Sequence, residues 1–405
     1  MTVLFGHPTG NPNSHHAALA HFEAGRLEAL CVPWVPAART LRILDSIPGI
    51  APMARRLARR RFEPLARAPM IQGRVGELSR LAQRMLGGGG ERLSYEANDW
   101  LMRVMTAECA RDSVSAVHSY EDCSLSQFQE AKRRGKACIY DMPIGYYPAW
   151  EQRQAELARR YAAWLPEGGL QSSAYARPAQ KREEMELADV VLAPSEFVAD
   201  TIRERLPYKI VTVAPYGVEQ ESWDPAQGRR NRDARLTFLF VGQCSLRKGI
   251  PLLLEAWQAA GLTDARLRLV GRWQLRAGAR RDLPAGASWS GAVPRSALKA
   301  EYGSADVFVF PSYFEGRALV IGEAMASALP VLTTRASGAD DMVDETCGRI
   351  IPSGDLDALV DGLRWFDRNR GEIAAMGRAA RLRASGCTWK NYRDRVSAAA
   401  AAFVR

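Results

Sequence analysis

Cysteine is sparse and unpatterned: seven in 405 residues (Cys31, Cys109, Cys123, Cys138, Cys244, Cys347, Cys387), with no Cys-x-x-Cys pair. Neither a zinc knuckle nor a disulfide framework fits that spacing, which reads as reduced thiols in a cytosolic protein. The five histidines show no metal-ligand spacing either. His15 and His16 are neighbours that would diverge on a helix, and His118 stands apart, so no cluster and no metal are expected. No apolar run approaches the roughly 18 residues of a spanning helix, which leaves only a peripheral membrane role. Residues 1–8 have no basic stretch and an apolar run of only three, so no signal peptide is expected. The Walker pattern Gly-x-x-x-x-Gly-Lys-Ser/Thr is missing, and so is the Gly-x-Ser-x-Gly turn of serine hydrolases. No internal repeat is evident, and low complexity is confined to residues 87–90 and the alanines near residue 400.

What is present is an ordinary globular composition, 47% hydrophobic and 25% charged, which excludes disorder. With 55 basic and 45 acidic residues the net charge is +10. The length is large for one core and comfortable for two. Short apolar runs alternate with longer amphipathic stretches, the pattern of βα units in parallel sheets. One set of strand candidates covers residues 3–5, 29–32, 115–117, 137–140, 190–193 and 210–213. A second covers 236–241, 267–270, 307–310, 331–333 and 348–351. The fold class is therefore α/β with two doubly wound, Rossmann-like domains. The first spans residues 1–215 and the second 236–388. Residues 216–235, rich in Pro, Gly, Asp and Arg, form the linker.

Between Arg55 and Arg92 ten arginines face three glutamates, a local excess of seven positive charges. This segment suits anionic lipid headgroups, at about 1 kcal/mol per basic residue near such a surface. A solvated helical face in an Arg-rich protein is an equally simple reading. Nucleic acid is not expected, because no recognition module and no interleaved aromatics accompany the charge.

Two segments carry chemistry. In the first, a buried strand ends at Gly242, a polar turn exposes Arg247 and Lys248, and an apolar helix begins near Pro251 after Gly249. Adjacent cations beside a helix N-terminus form an anion site, although a solvated turn would read similarly. In the second, Glu315 sits in a strand-to-loop turn and Glu323 follows eight residues later among small and apolar residues. A carboxylate buried there needs hydroxyl donors, such as those of a sugar or ribose. Taken alone, Glu323 could equally be an exposed helix carboxylate.

Gly242, Arg247-Lys248-Gly249, Glu315 and Glu323 in Glu-x7-Glu spacing, with Ala-Met-Ala-Ser-Ala-Leu-Pro-Val after Glu323, resemble the family 4 retaining glycosyltransferases of GT-B fold. The resemblance is strong over residues 236–392, weaker over 188–218 and faint before that. It implies two domains facing across a cleft, with the donor, a nucleotide diphosphate sugar, on the second and the acceptor on the first. The terminal helix, residues 389–405, would then fold back on the first domain. By similarity Arg247 and Lys248 neutralise the diphosphate, Gly242 lets backbone approach it, and Glu323 takes the ribose hydroxyls. Glu315, with the backbone N–H groups of Gly316, Arg317, Ala318 and Leu319, holds sugar and phosphate, while Val293 touches the base. No cofactor and no metal are implied, in keeping with the lack of an Asp-x-Asp strand end.

Departures from the pattern fall mostly in the first half. Gln243 stands where the family has Arg, and only Gly10 matches the first-domain glycine loop. Asp141 replaces the family's His, and as the first residue past a buried strand it is expected to face the cleft and serve sugar or acceptor. The acceptor is expected to be a sugar or lipid-linked molecule in cell-surface polysaccharide or glycolipid assembly. The protein would then work in the cytoplasm, at the inner face of the plasma membrane if the arginine segment binds lipid. The alternatives are a GT-B nucleotide-sugar epimerase, for which paired carboxylates and a His are missing, and a non-catalytic sugar-nucleotide-binding subunit.

Overall fold

The computed structural model describes residues 2–403 apart from 48, 74–89, 167–168, 170–176 and 224–234. Most of the expected linker, together with Arg74, Arg80 and Arg84, therefore lies outside the described residues. The first sheet contains β1 (Thr2–Gly6), β2 (Leu27–Val32), β3 (Met70–Gln72), β4 (Val114–Tyr120), β5 (Ala137–Asp141), β6 (Val190–Ala193) and β7 (Val211–Val213). The second contains β8 (Leu236–Val241), β9 (Ala265–Val270), β10 (Ala287–Trp289), β11 (Val307–Phe310), β12 (Val331–Thr334) and β13 (Gly348–Ile351).

Strand orders are β3-β2-β1-β4-β5-β6-β7 and β10-β9-β8-β11-β12-β13, all pairs parallel. Parallel strands are covered by helices on both faces, so central ones read as continuous apolar runs. Leu236–Val241 is such a run but for Thr237, and it is buried at every position. In each sheet the order reverses between two neighbours, β1 and β4 in one and β8 and β11 in the other. Crevices open there beyond the carboxyl ends of the strands. Strands β3 and β10 escape the apolar-run criterion because each is a three-residue edge with no fully buried position.

Each sheet has its own core, and two helices trade sides. The helix Trp389–Phe403 packs Trp389, Tyr392 and Val396 into the first core. From the helix Tyr147–Arg160 and the residue after it, Trp150, Leu157 and Tyr161 join the second core. The chain thus passes between domains twice, and the passages touch: the Val218 N–H donates to the Cys387 carbonyl at 2.8 Å. Among the described residues no helix is long and apolar enough to cross a membrane.

Candidate active site

The topology of the second sheet brings its predicted residues together. The loop after β8 carries Arg247 and Lys248, the loop after β11 carries Ser312 and Glu315, and these strands flank the reversal point. Glu315 Oε1 accepts from Arg247 Nη1 at 2.8 Å, from Lys248 Nζ at 2.5 Å and from the Ser312 hydroxyl at 3.1 Å. Arg247 also donates to the Phe314 carbonyl at 2.8 Å. Both cations are half-buried and paired, which corrects the expectation of an exposed turn. The reason is a nearby carboxylate that sequence distance concealed. Burial pushes the Glu315 carboxyl up, but Lys248 and Arg247 outweigh it and leave the group below the usual range. Burial lowers the Lys248 ammonium, and Glu315 opposes that.

Helix Ile250–Ala260 starts behind these cations, with Gly249 as its N-terminal cap at φ +74°. A side chain there would also strike the Pro311 carbonyl, 2.1 Å from a Cβ position. Gly242 closes β8, its N–H bonded to the Val270 carbonyl at 2.9 Å. Helix Leu319–Ala326 begins just past Glu315. Among the described residues the N–H groups of Gly316 and Arg317 have no intramolecular partner, so they remain free for an anion. Ala318 does not fit its expected role, because its N–H donates to the Ser337 carbonyl at 3.0 Å. Leu319 is the first helical residue, and the Arg317 side chain is buried against Asp341. Gly316 also meets the first domain, where the Pro143 carbonyl would lie 1.8 Å from a Cβ.

Glu323 is buried on the same helix and does meet a hydroxyl, that of Tyr302, which donates to Oε2 at 3.0 Å. Its other oxygen pairs with Arg295 at 3.2 Å. Burial raises this carboxyl, opposed by Arg295 and Tyr302. Val293 lies in the loop between β10 and helix Arg295–Gly303, partly buried against the second core.

The first domain departs further from expectation. Gly10 follows β1 at φ +78°, but its N–H donates to His7 Nδ1 at 3.0 Å and is spent within the loop. Thr9 N–H reaches the same nitrogen at 3.1 Å, and burial lowers His7 to about 3, so the ring stays neutral. Asp141, expected at the cleft, is buried at 2% exposure. Strand β5 runs on through it, and its side chain is closed in beneath the terminal helix, with the Tyr392 hydroxyl donating to Oδ2 at 3.3 Å. Nor are the histidines dispersed, for His21 Nε2 lies 2.8 Å from His118 Nδ1, and His118 Nε2 lies 3.7 Å from Asp141 Oδ2. The helix Pro12–Glu23 and the adjacent strands β4 and β5 create that cluster, which linear spacing cannot display. Among the described residues no group of three or more His, Cys, Asp or Glu could hold a metal.

Sequence reasoning missed His7, Arg295 and Tyr302. Arg295 did carry a signal, two residues after Val293 at the start of a helix.

Residues 235–368 match the family model described as Glycosyl transferases group 1. Sulfoquinovosyl transferase SQD2 of Arabidopsis thaliana is 29% identical over 189 residues, covering 43% of this chain and 36% of that protein. The MMP alpha-(1->4)-mannosyltransferase of Mycolicibacterium hassiacum is 30% identical over 217 residues, 51% of each chain. This chain thus spans from 36% to 51% of the length of these relatives. HepE of Anabaena, solved in complex with UDP and glucose, superposes with a TM-score of 0.60 at 14% identity, covering 99% of this chain and 100% of that one. The shared architecture is GT-B.

Proposed function

We propose, for a chain that belongs to the family 4 glycosyltransferases of GT-B fold, that it moves a sugar from a nucleotide diphosphate sugar to an acceptor hydroxyl with retention of anomeric configuration. The observation that carries this reading is the meeting of Arg247, Lys248 and Glu315 at the reversal point of the second sheet. Two cations and the free N–H groups of Gly316 and Arg317 suit a diphosphate. Their value grows as the sugar–phosphate bond breaks and charge collects on the leaving group, the moment at which electrostatic stabilisation lowers the barrier. The departing phosphate takes the proton from the acceptor hydroxyl, so bond making and bond breaking share one face of the sugar. Glu323 holds the ribose, Val293 touches the base, and no metal or cofactor takes part. A protein of the same fold, that of Anabaena, was solved with UDP and glucose, which supports a nucleotide sugar as the donor.

The acceptor lies against the first domain. A lipid-linked acceptor at an anionic bilayer, on the cytoplasmic face, fits one surface there. Helices Ala38–Asp45 and Ala51–Ala58 pack together, and Ile43 on the first and Ile47 in the connection after it are 56% and 39% exposed, beside exposed Arg39, Arg42, Arg55 and Arg59. Exposed apolar side chains framed by arginine suit the boundary of an anionic bilayer.

A thermal-shift screen with UDP, GDP and ADP sugars tests the donor reading. A ligand at about 100 times its dissociation constant stabilises by about 2.7 kcal/mol, so a true donor is easily seen. No shift with any of them, together with no transfer, would sink the proposal.

A further inference from the structure

Both oxygens of Glu323 are already engaged, Oε1 by Arg295 at 3.2 Å and Oε2 by the Tyr302 hydroxyl at 3.0 Å. An ionised carboxylate offers about four lone-pair positions, so one remains on each oxygen. Arg295 is itself held. Its Nη2 lies 3.7 Å from Glu219 Oε2, and its guanidinium stands 5.3 Å over the Trp223 ring, which meets the Tyr302 ring edge-on at 5.3 Å. Glu219 and Trp223 come just after the passage between domains at Val218, so this clamp joins the helix of Glu323 to the segment that links the two halves.

Among the described residues, the charged or titratable groups that act on Glu323 are Arg295, Tyr302 and Glu219. Remove Arg295 and a buried carboxylate is left with one hydroxyl donor and one like charge. Such a group takes up a proton, and a carboxylic acid no longer accepts from two hydroxyls.

We propose that Arg295 is a positioning residue for the donor's ribose, holding Glu323 ionised and oriented so that its two unused acceptor positions serve vicinal hydroxyls. This rests on the donor reading above, and the experiment separates the two. Calorimetric titration of the unmodified protein with UDP, GDP and ADP comes first. Binding of none of them removes the donor reading and this inference with it. With the nucleotide that binds and its 2′,3′-dideoxy form, which lacks both hydroxyls, Arg295→Ala should lose about tenfold or more in affinity for the ribonucleotide and less than about twofold for the dideoxy form. The ribonucleotide penalty should grow as pH falls from about 8 to about 6, because Glu323 protonates sooner without its cation. Arg295→Lys should recover most of the affinity, and Arg295→Gln serves the same comparison should the alanine variant fold poorly. Unchanged ribonucleotide affinity, equal losses for both nucleotides, or a loss that ignores pH would overturn the assignment.

Discussion

The Lys248 ammonium lies 2.5 Å from Glu315 Oε1, the same oxygen that takes Arg247 at 2.8 Å. One buried carboxylate oxygen therefore fixes two cations side by side, and its charge offsets only one of them. On the proposed donor reading, the remaining positive charge is what a diphosphate would meet. Because the Glu315 carboxyl is held low and stays ionised, this arrangement persists across the physiological range.

Lys248→Ala and Arg247→Ala should each weaken donor binding while the fold survives, since either variant leaves Glu315 with one cation and Ser312. Losing a charge-assisted bond costs about 1.5–3 kcal/mol, roughly a tenfold to hundredfold loss of affinity. Titration calorimetry reads it directly. Unchanged affinity in both variants would mean the phosphates lie elsewhere.

On the donor reading, turnover should survive saturating EDTA, because Arg247, Lys248 and the backbone N–H groups of Gly316 and Arg317 would neutralise phosphate in place of a metal. An activity that EDTA abolishes and Mn²⁺ or Mg²⁺ restores would place the diphosphate on a metal instead.

If the Ile43 and Ile47 surface meets an anionic bilayer, the double variant Ile43→Asp, Ile47→Asp should lose vesicle binding without losing stability, as both side chains are exposed. Co-sedimentation of the parent protein should fall with salt, since screening acts within about 8 Å at physiological ionic strength. Equal recovery on neutral and anionic vesicles would exclude the arginine contribution.

The second domain was legible in the sequence because β8 and β11 are largely apolar runs and the residues that meet, Arg247, Lys248 and Glu315, lie in the loops directly after them. Eleven of the strands were expected in place, and what escaped were the half-buried edges β3 and β10. Pairings across loops were less visible. Nothing in linear spacing says that Arg295 meets Glu323, or that β4 and the helix Pro12–Glu23 bring His118 to His21. The first-domain site was legible least, because Asp141 was judged by position along a strand. Its real surroundings come from Tyr392, 251 residues away.

That burial changes what Asp141 should do. Desolvation pushes its carboxyl from the ordinary 3.8 up to about 7, with the nearby Tyr120 hydroxyl and the hydrogen bond from Tyr392 pulling the other way. His118 supplies no compensating charge, since burial lowers it to about 3 and keeps it neutral. Below pH 3.8 the carboxyl is protonated in folded and unfolded chain alike, and Asp141 carries no penalty. Between 3.8 and about 7 the unfolded chain releases a proton that the folded chain retains, so the Asp141 contribution to stability declines as pH rises and then levels off. Asn can still accept from Tyr392 but has nothing to ionise. Asp141→Asn should therefore raise the unfolding free energy by an amount small near pH 4 and reaching a few kcal/mol, to order of magnitude, by pH 8. Urea unfolding of both proteins at several pH values measures the difference. Should the variant instead be less stable at pH 8 than at pH 5 relative to the parent, Asp141 is an ionised and well-paired group, and its enclosure beneath Tyr392 does not govern its charge.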